Sequence, residues 1–437
     1  MNRLSTLGRN RKNYLLLLTV IVTGLFLMPG DLLAETSAGT IDKADTAWLL
    51  MSTAMVMFMT PGLALFYAGM ARRKNVLGTM MHSYFLLSLI TLQWILWGYS
   101  LSFGTDVGGI IGGANYFGLK GVGTEALGTV PHLIFMGFQG MFAVITVALI
   151  TGGVAERIKF SAILLFSVIW ATVVYDPLCH WVWGGGWMSQ LGVLDFAGGI
   201  VVHISCGISA LVAAIVVGRR RGWPKELMPP HNLTLTLMGM GILWFGWFGF
   251  NAGSALAADG SAALAFINTN TAAAAGTLAW TAVEWRKNGK PTLLGAMSGT
   301  VAGLGSITPA AGFVTPMASI IIGLVGGSLC YYTVTILKMK LRYDDTLDVF
   351  GIHGIAGTWG TLATGIFASV GAKGLLQGNP HQLWVQFIAV VATIVFTAVM
   401  TYLILKLVDV TIGLRVEAEG EFEGLDLSEH GESGYIL

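Results

Sequence analysis

Apolar residues along the chain come in runs of roughly 20, the length a helix needs to cross about 30 Å of hydrocarbon, separated by short polar or glycine-rich stretches. These runs predict spans near 45–70, 77–104, 131–153, 160–180, 195–218 and 232–255, and five more near 262–283, 292–311, 316–337, 347–370 and 383–405. Open strands and loops leave backbone groups unsatisfied in lipid, so the spans are expected to be helices. The expected fold is an all-α membrane protein with eleven transmembrane helices. Ahead of them, Arg3, Arg9, Arg11 and Lys12 precede the apolar run Tyr14 to Leu27, followed by Pro29, Gly30 and Ala34. Residues 1–34 therefore read as a secretory signal peptide cut near Ala34, with Leu32 where a small residue is usual. An uncleaved first helix is the alternative. The membrane domain is expected over 35–410 and a tail over 411–437.

Composition agrees with the pattern. Only 11% of the 437 residues are Asp, Glu, Lys or Arg while 54% are hydrophobic, too few charges to cover a water-facing surface. A formal net charge of +1 without a clustered excess of Lys and Arg gives no nucleic-acid signal. The 59 glycines suit close packing of helix backbones in lipid. Cys179, Cys206 and Cys330 are odd in number, lie in apolar stretches and show no metal-ligand spacing, so they read as buried bystanders. If the spans are threaded in order, seventeen Lys and Arg fall on one side, among them Arg72, Arg157, Arg220 and Lys338. Lys43, Lys120 and Lys373 fall on the other, and four more lie in the leader. The positive-inside rule then puts the mature N-terminus outside and the C-terminus in the cytoplasm.

Spans five and ten share a pattern. Asp195 is followed by His203 and then Gly207, and Asp348 by His353 and then Gly357. A five-helix unit is odd, so its second copy runs through the membrane upside down, a construction that transporters use to place a site near the midplane. Of the eight histidines only these two are expected well inside a span. Such a histidine is either bonded to a carbonyl for packing or functional, and two neutral imidazoles edge to edge can hand along a small hydrogen-bonding solute or a proton. Asp195 can cap a helix and also draw a cation. Trp181, Trp183 and Trp187 flank Gly184-Gly185-Gly186, while Trp247, Phe248 and Phe250 precede Asn251-Ala252-Gly253-Ser254. These aromatics read as an interfacial belt or as a cage whose π faces replace the hydration shell of a small ammonium-like cation.

With these residues the sequence resembles the Amt/Mep/Rh family of ammonium transporters, and within it the bacterial Amt branch. The resemblance runs from about Asp45 to the end. It rests on Gly69 after Pro61-Gly62, Arg72-Arg73-Lys74-Asn75, Ala155-Glu156-Arg157 and Trp183-Gly184-Gly185-Gly186. It rests further on Asp195-Phe196-Ala197-Gly198-Gly199 ending at His203, Gly246 to Ser254, and Asp348 to Gly354. It implies an external recruitment site of Phe142, Trp183 and Ser254, and paired phenylalanines Phe142 and Phe250 blocking the pore below it. Phe138 and Trp247 are implied as further pore aromatics, His203 and His353 as the pore and proton relay, and Asp195 as the entrance carboxylate. It also implies a homotrimer with one pore per chain and a cytoplasmic tail through which a PII-type signalling protein acts. Neither cofactor nor enzymatic activity is expected, and the solute is ammonium or ammonia, with or without separate proton transfer. An ammonium sensor signalling through the tail is the rival, although no receiver or kinase stretch follows span eleven. A membrane metalloenzyme would need converging ligands, which two histidines and a distant carboxylate do not supply.

Overall fold

The computed structural model describes residues 39–436, so the leader reading lies outside the described residues. Eight helices among them are long and apolar enough to cross a membrane: α1 Lys43–Met70, α2 Arg73–Phe103, α3 His132–Val154, α4 Phe160–Gln190, α5 Gly199–Val217, α6 Leu233–Gly253, α9 Pro316–Leu341 and α11 Pro380–Thr411. Three further helices coincide with the other expected runs: α7 Gly260–Asn288, α8 Leu293–Ile307 and α10 Ile355–Phe367. These are more polar or shorter. The polarity of α7 has an internal use, since Asn268 donates to the carbonyls of Ala311 (2.8 Å) and Val314 (2.7 Å).

Local chemistry starts the helices where the sequence changes character. Asp42 accepts from Ala44 and Asp45 N–H at the head of α1, and Asn232, Asp259 and Thr292 cap α6, α7 and α8 in the same way, satisfying donors a helix start leaves open. Thr315 caps α9, with Pro316 at its first position, where the missing N–H costs nothing. Between α2 and α3 the chain makes two short antiparallel pairs, β1 Asp106–Val107 with β2 Ile111–Gly112 and β3 Ala126–Leu127 with β4 Val130–Pro131. His180 Nε2 meets Asp106 Oδ1 at 2.8 Å and Trp181 Nε1 donates to Ile110 O at 2.7 Å, so α4 pins this loop. His82 and His180 are also buried within α2 and α4, which corrects the expectation that two histidines alone sit inside spans.

The opposite, basic face is held by buried ions. Arg157 has no exposed side-chain surface and donates to the carbonyls of Gly218 (2.7 Å), Gly153 (3.0 Å) and Asp344 (2.6 Å). Arg220 grips the Asp344 carboxylate at 2.8 and 3.0 Å. Burial works to raise the Asp344 carboxyl, but Arg220 overcomes it and holds the group below the usual carboxylate range. The tail packs against this face. Its short helices α12 Ala418–Glu423 and α13 Leu425–His430 bury Glu421, Leu425 and Asp426. Gly78 N–H donates to Asp426 (2.8 Å), Phe160 N–H to Glu429 (2.9 Å), and Arg221 N–H to Glu421 (2.8 Å). A stretch whose composition suggests a solvated end is a docked strap, because its few apolar and acidic side chains meet matching groups on the basic face.

Candidate functional site

Two π turns carry the histidines. Gly199–Ile204 opens α5 with His203, and Phe350–Gly354 leads into α10 with His353. Widening a helix by one residue per turn redirects the side chains there, and such turns recur at functional sites. The glycine four residues after each histidine makes room for the other turn. A methyl on Gly207 would sit 2.3 Å from Gly354 N, and one on Gly357 would sit 2.8 Å from His203 Cβ. The two turns thus touch backbone to backbone, and the imidazoles are nearly parallel, with ring centroids 5.2 Å apart. His203 Nδ1 and His353 Nδ1 lie 3.2 Å apart, one nitrogen donating and the other accepting. His203 Nε2 has no hydrogen-bond partner among the described residues.

A carboxylate eight residues upstream supports each turn. Asp195 accepts from four backbone N–H groups, those of Gly198, Gly199, Ile200 and Val201, at 2.7–3.3 Å. The partner for the second turn is Asp345, which accepts from Phe350 N–H at 2.8 Å. The sequence pattern pointed instead to Asp348, which sits at φ +62° and pairs with Lys338 Nζ at 2.7 Å. The equal spacing of eight residues between carboxylate and histidine is the signal for Asp345 in the sequence.

The imidazoles line a lumen of about 10 Å³ with Met59, Leu63, Ile145, Val202, Trp247 and Phe250 among its other walls, room for one water-sized molecule. Trp247 stacks on His203 at 5.5 Å and donates its Nε1–H to Thr308 at 2.9 Å. Phe250 meets Phe142 at 4.2 Å between centroids, a pair of rings at one end of the lumen. On the far side of that pair lies a cavity of about 310 Å³ lined by Phe142, Trp183, Ser254 and Gln139. It adjoins a wider one of about 530 Å³ that shares Phe103, Phe135 and Trp183. Trp183 stands edge-on to Phe142 at 6.0 Å and is held by its Nε1–H to Asp195 O at 2.9 Å. Phe138 packs edge-on against Phe142 at 4.9 Å and is fully buried, outside the residues lining either cavity.

Sequence reasoning brought together Phe142, Trp183 and Ser254, and it missed Gln139. The Gln139 Oε1 has no partner among the described residues, so a buried acceptor sits on the wall of the aromatic cavity. Ser254 spends its hydroxyl proton on Phe250 O at 2.8 Å, leaving its oxygen free to accept. The cavity therefore offers π faces and acceptors to a small cationic donor. The lumen beyond offers apolar walls and two imidazoles, which suits a neutral hydrogen-bonding solute. Sequence reasoning also set Cys206 aside. Its sulfur lies with a ring nitrogen of His203 and one of His353, all within 4.8 Å of one another.

The model of the Ammonium Transporter Family matches residues 47–435. The chain is 54% identical over 403 residues to an ammonium transporter of Bacillus subtilis (strain 168), covering 90% of this chain and 99% of that one. Among solved structures it resembles Saccharomyces cerevisiae Mep2, with a TM-score of 0.82, 36% identity, and coverage of 87% of this chain and 89% of that one. It also resembles a protein described as a sensor Amt protein, with a TM-score of 0.83, 28% identity, and coverage of 89% and 98%.

Proposed function

The chain belongs to the ammonium transporter family, and from that premise we propose that it recruits NH4+ in the aromatic cavity and passes ammonia through the lumen past His203 and His353. Phe142, Trp183 and Ser254, with Gln139 added, replace the ion's water shell. Phe142 and Phe250 form the gate, with Trp247 beneath it and Phe138 backing it. A bare charge in hydrocarbon costs several kcal/mol or more, so separating NH3 from H+ at the gate lowers the barrier. Asp195 caps the His203 turn and places negative charge behind Trp183, on the side from which the cation comes.

The observation that carries this reading is the pairing of a 310 Å³ acceptor-lined aromatic cavity with a 10 Å³ lumen whose polar groups are two imidazoles in contact. The rest of the arrangement extends it. We read eleven spans built as an inverted five-plus-five repeat, supported by the matched π turns and reciprocal glycines. The multi-pass chain would sit in the inner membrane, with its mature N-terminus outside and its basic face and tail in the cytoplasm. The resemblance supplies the homotrimer and a PII-type partner at the tail. The docked tail is also what a sensor would use, and isotope uptake into liposomes separates the two, since a sensor alone moves no substrate.

The proton path is tested by the current that an ammonium gradient drives across a protein-loaded membrane. If the touching imidazoles relay H+ beside the ammonia path, the His203→Ala, His353→Ala double variant abolishes that current while the lumen stays open to neutral solute. Equal currents in the two proteins would reduce the pair to lining.

A further inference from the structure

We propose that His203, His353 and Cys206 form a binding site for a soft monovalent metal cation of the copper(I) class, and that an ion held there plugs the lumen. The three donors sit on facing elements, with Cys206 one helical turn below His203, and lie within 4.8 Å of one another. Cys206 and His203 are at most 1% exposed and His353 is 5% exposed. The 3.2 Å between the two Nδ1 atoms matches the roughly 3.3 Å that two nitrogens keep when each is about 2.0 Å from one metal. In the same tetrahedral arrangement a sulfur at about 2.3 Å and a nitrogen at about 2.0 Å from one metal stand about 3.5 Å apart, within the 4.8 Å that bounds the three donors. His203 Nε2 has no partner among the described residues, so a proton displaced from Nδ1 can move there and leave the ring neutral.

Charge decides the class of ion. Binding replaces the Cys206 S–H bond with a metal–sulfur bond and releases the proton. A monovalent ion and a thiolate then sum to zero in a lumen with apolar walls. A divalent ion would leave one buried positive charge without a counter-ion, which costs several kcal/mol. Thiolate with imidazole also prefers soft ions, and no electron changes hands. Cys206 Sγ, 3.5 Å from His203 O, has only a weak bond to give up.

The test uses the purified full chain and Ag+ in chloride-free buffer, with bound silver counted after equilibrium dialysis. Cys179→Ala and Cys330→Ala provide the background, because both are buried thiols. One tight ion per chain is expected. Losing an outer-shell partner already costs 10–100-fold in metal affinity, so losing the ligand itself in Cys206→Ser should weaken binding by about 100-fold or more. His203→Ala with His353→Ala should weaken it at least about 10-fold. Unchanged affinity in Cys206→Ser, or in the histidine variant, overturns the three-donor site. X-ray absorption of the wild-type chain loaded with one Ag+ gives a second readout: nitrogen beside one sulfur supports the site, and sulfur alone overturns it. Both readouts measure binding, so they stand apart from whether the chain carries ammonium. Silver block of uptake, scaled to each protein's silver-free rate, should disappear in Cys206→Ser.

Discussion

The turn bearing His203 and the turn bearing His353 share a construction: a carboxylate eight residues ahead, a π turn, and a glycine four residues on that admits the other turn. Their supports differ. The Asp195 carboxylate is saturated by four N–H groups and nothing else is needed to hold it. The Asp345 carboxylate receives Phe350 N–H, while its Oδ1 has no partner among the described residues. What steadies that second stretch is the ionic fabric around it: Arg220 on Asp344, Arg157 on the Asp344 carbonyl, and Lys338 on Asp348 and the Asp345 carbonyl. One histidine therefore hangs from a self-contained backbone cap beside the aromatic cavity. The other hangs from the charged face on which the tail docks.

The largest single change should come from the self-contained cap. Asp195→Asn keeps the shape but turns an NH2 group toward N–H donors, leaving at least one charge-assisted bond broken and donors unmatched in a dry site. A loss of about 3 kcal/mol is expected, from about 1.5–3 kcal/mol for each hydrogen bond to a charged group, read as thermal unfolding in detergent. A loss under about 1 kcal/mol would mean water reaches the cap and the contrast with Asp345 is false.

Next come the reciprocal glycines. Gly207→Ala and Gly357→Ala each push a methyl into the other turn's backbone at 2.3 and 2.7 Å, which should cost about 1–3 kcal/mol by overpacking and spread the imidazoles. The two losses should be alike. A tolerated Gly207→Ala beside a damaging Gly357→Ala would show that the second turn yields, as a turn held from outside could.

How much of this was readable beforehand depended on distance along the chain. Span lengths were legible because lipid imposes them, and His203, His353, Gly207 and Gly357 were legible because each pattern lies within five residues. Asp345 was passed over for Asp348, since only backbone geometry shows that Asp348 turns at φ +62° toward Lys338. Cys206 is three residues from His203, so its face could be read, but its nearness to His353 depends on two turns meeting across 147 residues. The docking of the tail is hidden in the sequence for a related reason. Leu425 and Asp426 are unremarkable until Gly78 and Asn75 are brought beneath them.

Trp183 belongs with the first turn, because its indole is tethered to the Asp195 carbonyl. Trp183→Leu should weaken the apparent affinity for ammonium by about 0.5–2 kcal/mol, the range of a cation–π contact, with less effect on saturated conduction. An unchanged half-saturation concentration in uptake assays would return the tryptophan to an interfacial belt.

The smallest effect is expected at Asp345 at low pH, and there the sign of its pH dependence is the sharper test. Burial pushes its carboxyl up to about 6, against the pull of Lys338, whereas an unfolded aspartate titrates near 3.9. A group raised in the folded state contributes stability that is fully present below about pH 3.9 and is lost as pH rises through 6. Asp345→Asn mimics the protonated acid at every pH, so it should change stability by under about 1 kcal/mol at low pH, in keeping with a neutral isostere. Between pH 4 and 7 the wild type should lose on the order of 2 kcal/mol relative to the variant. Unfolding midpoints of both proteins in detergent across that range give the comparison. Parallel profiles would mean that the charge on Asp345 is already matched, and that the second turn is capped as completely as the first.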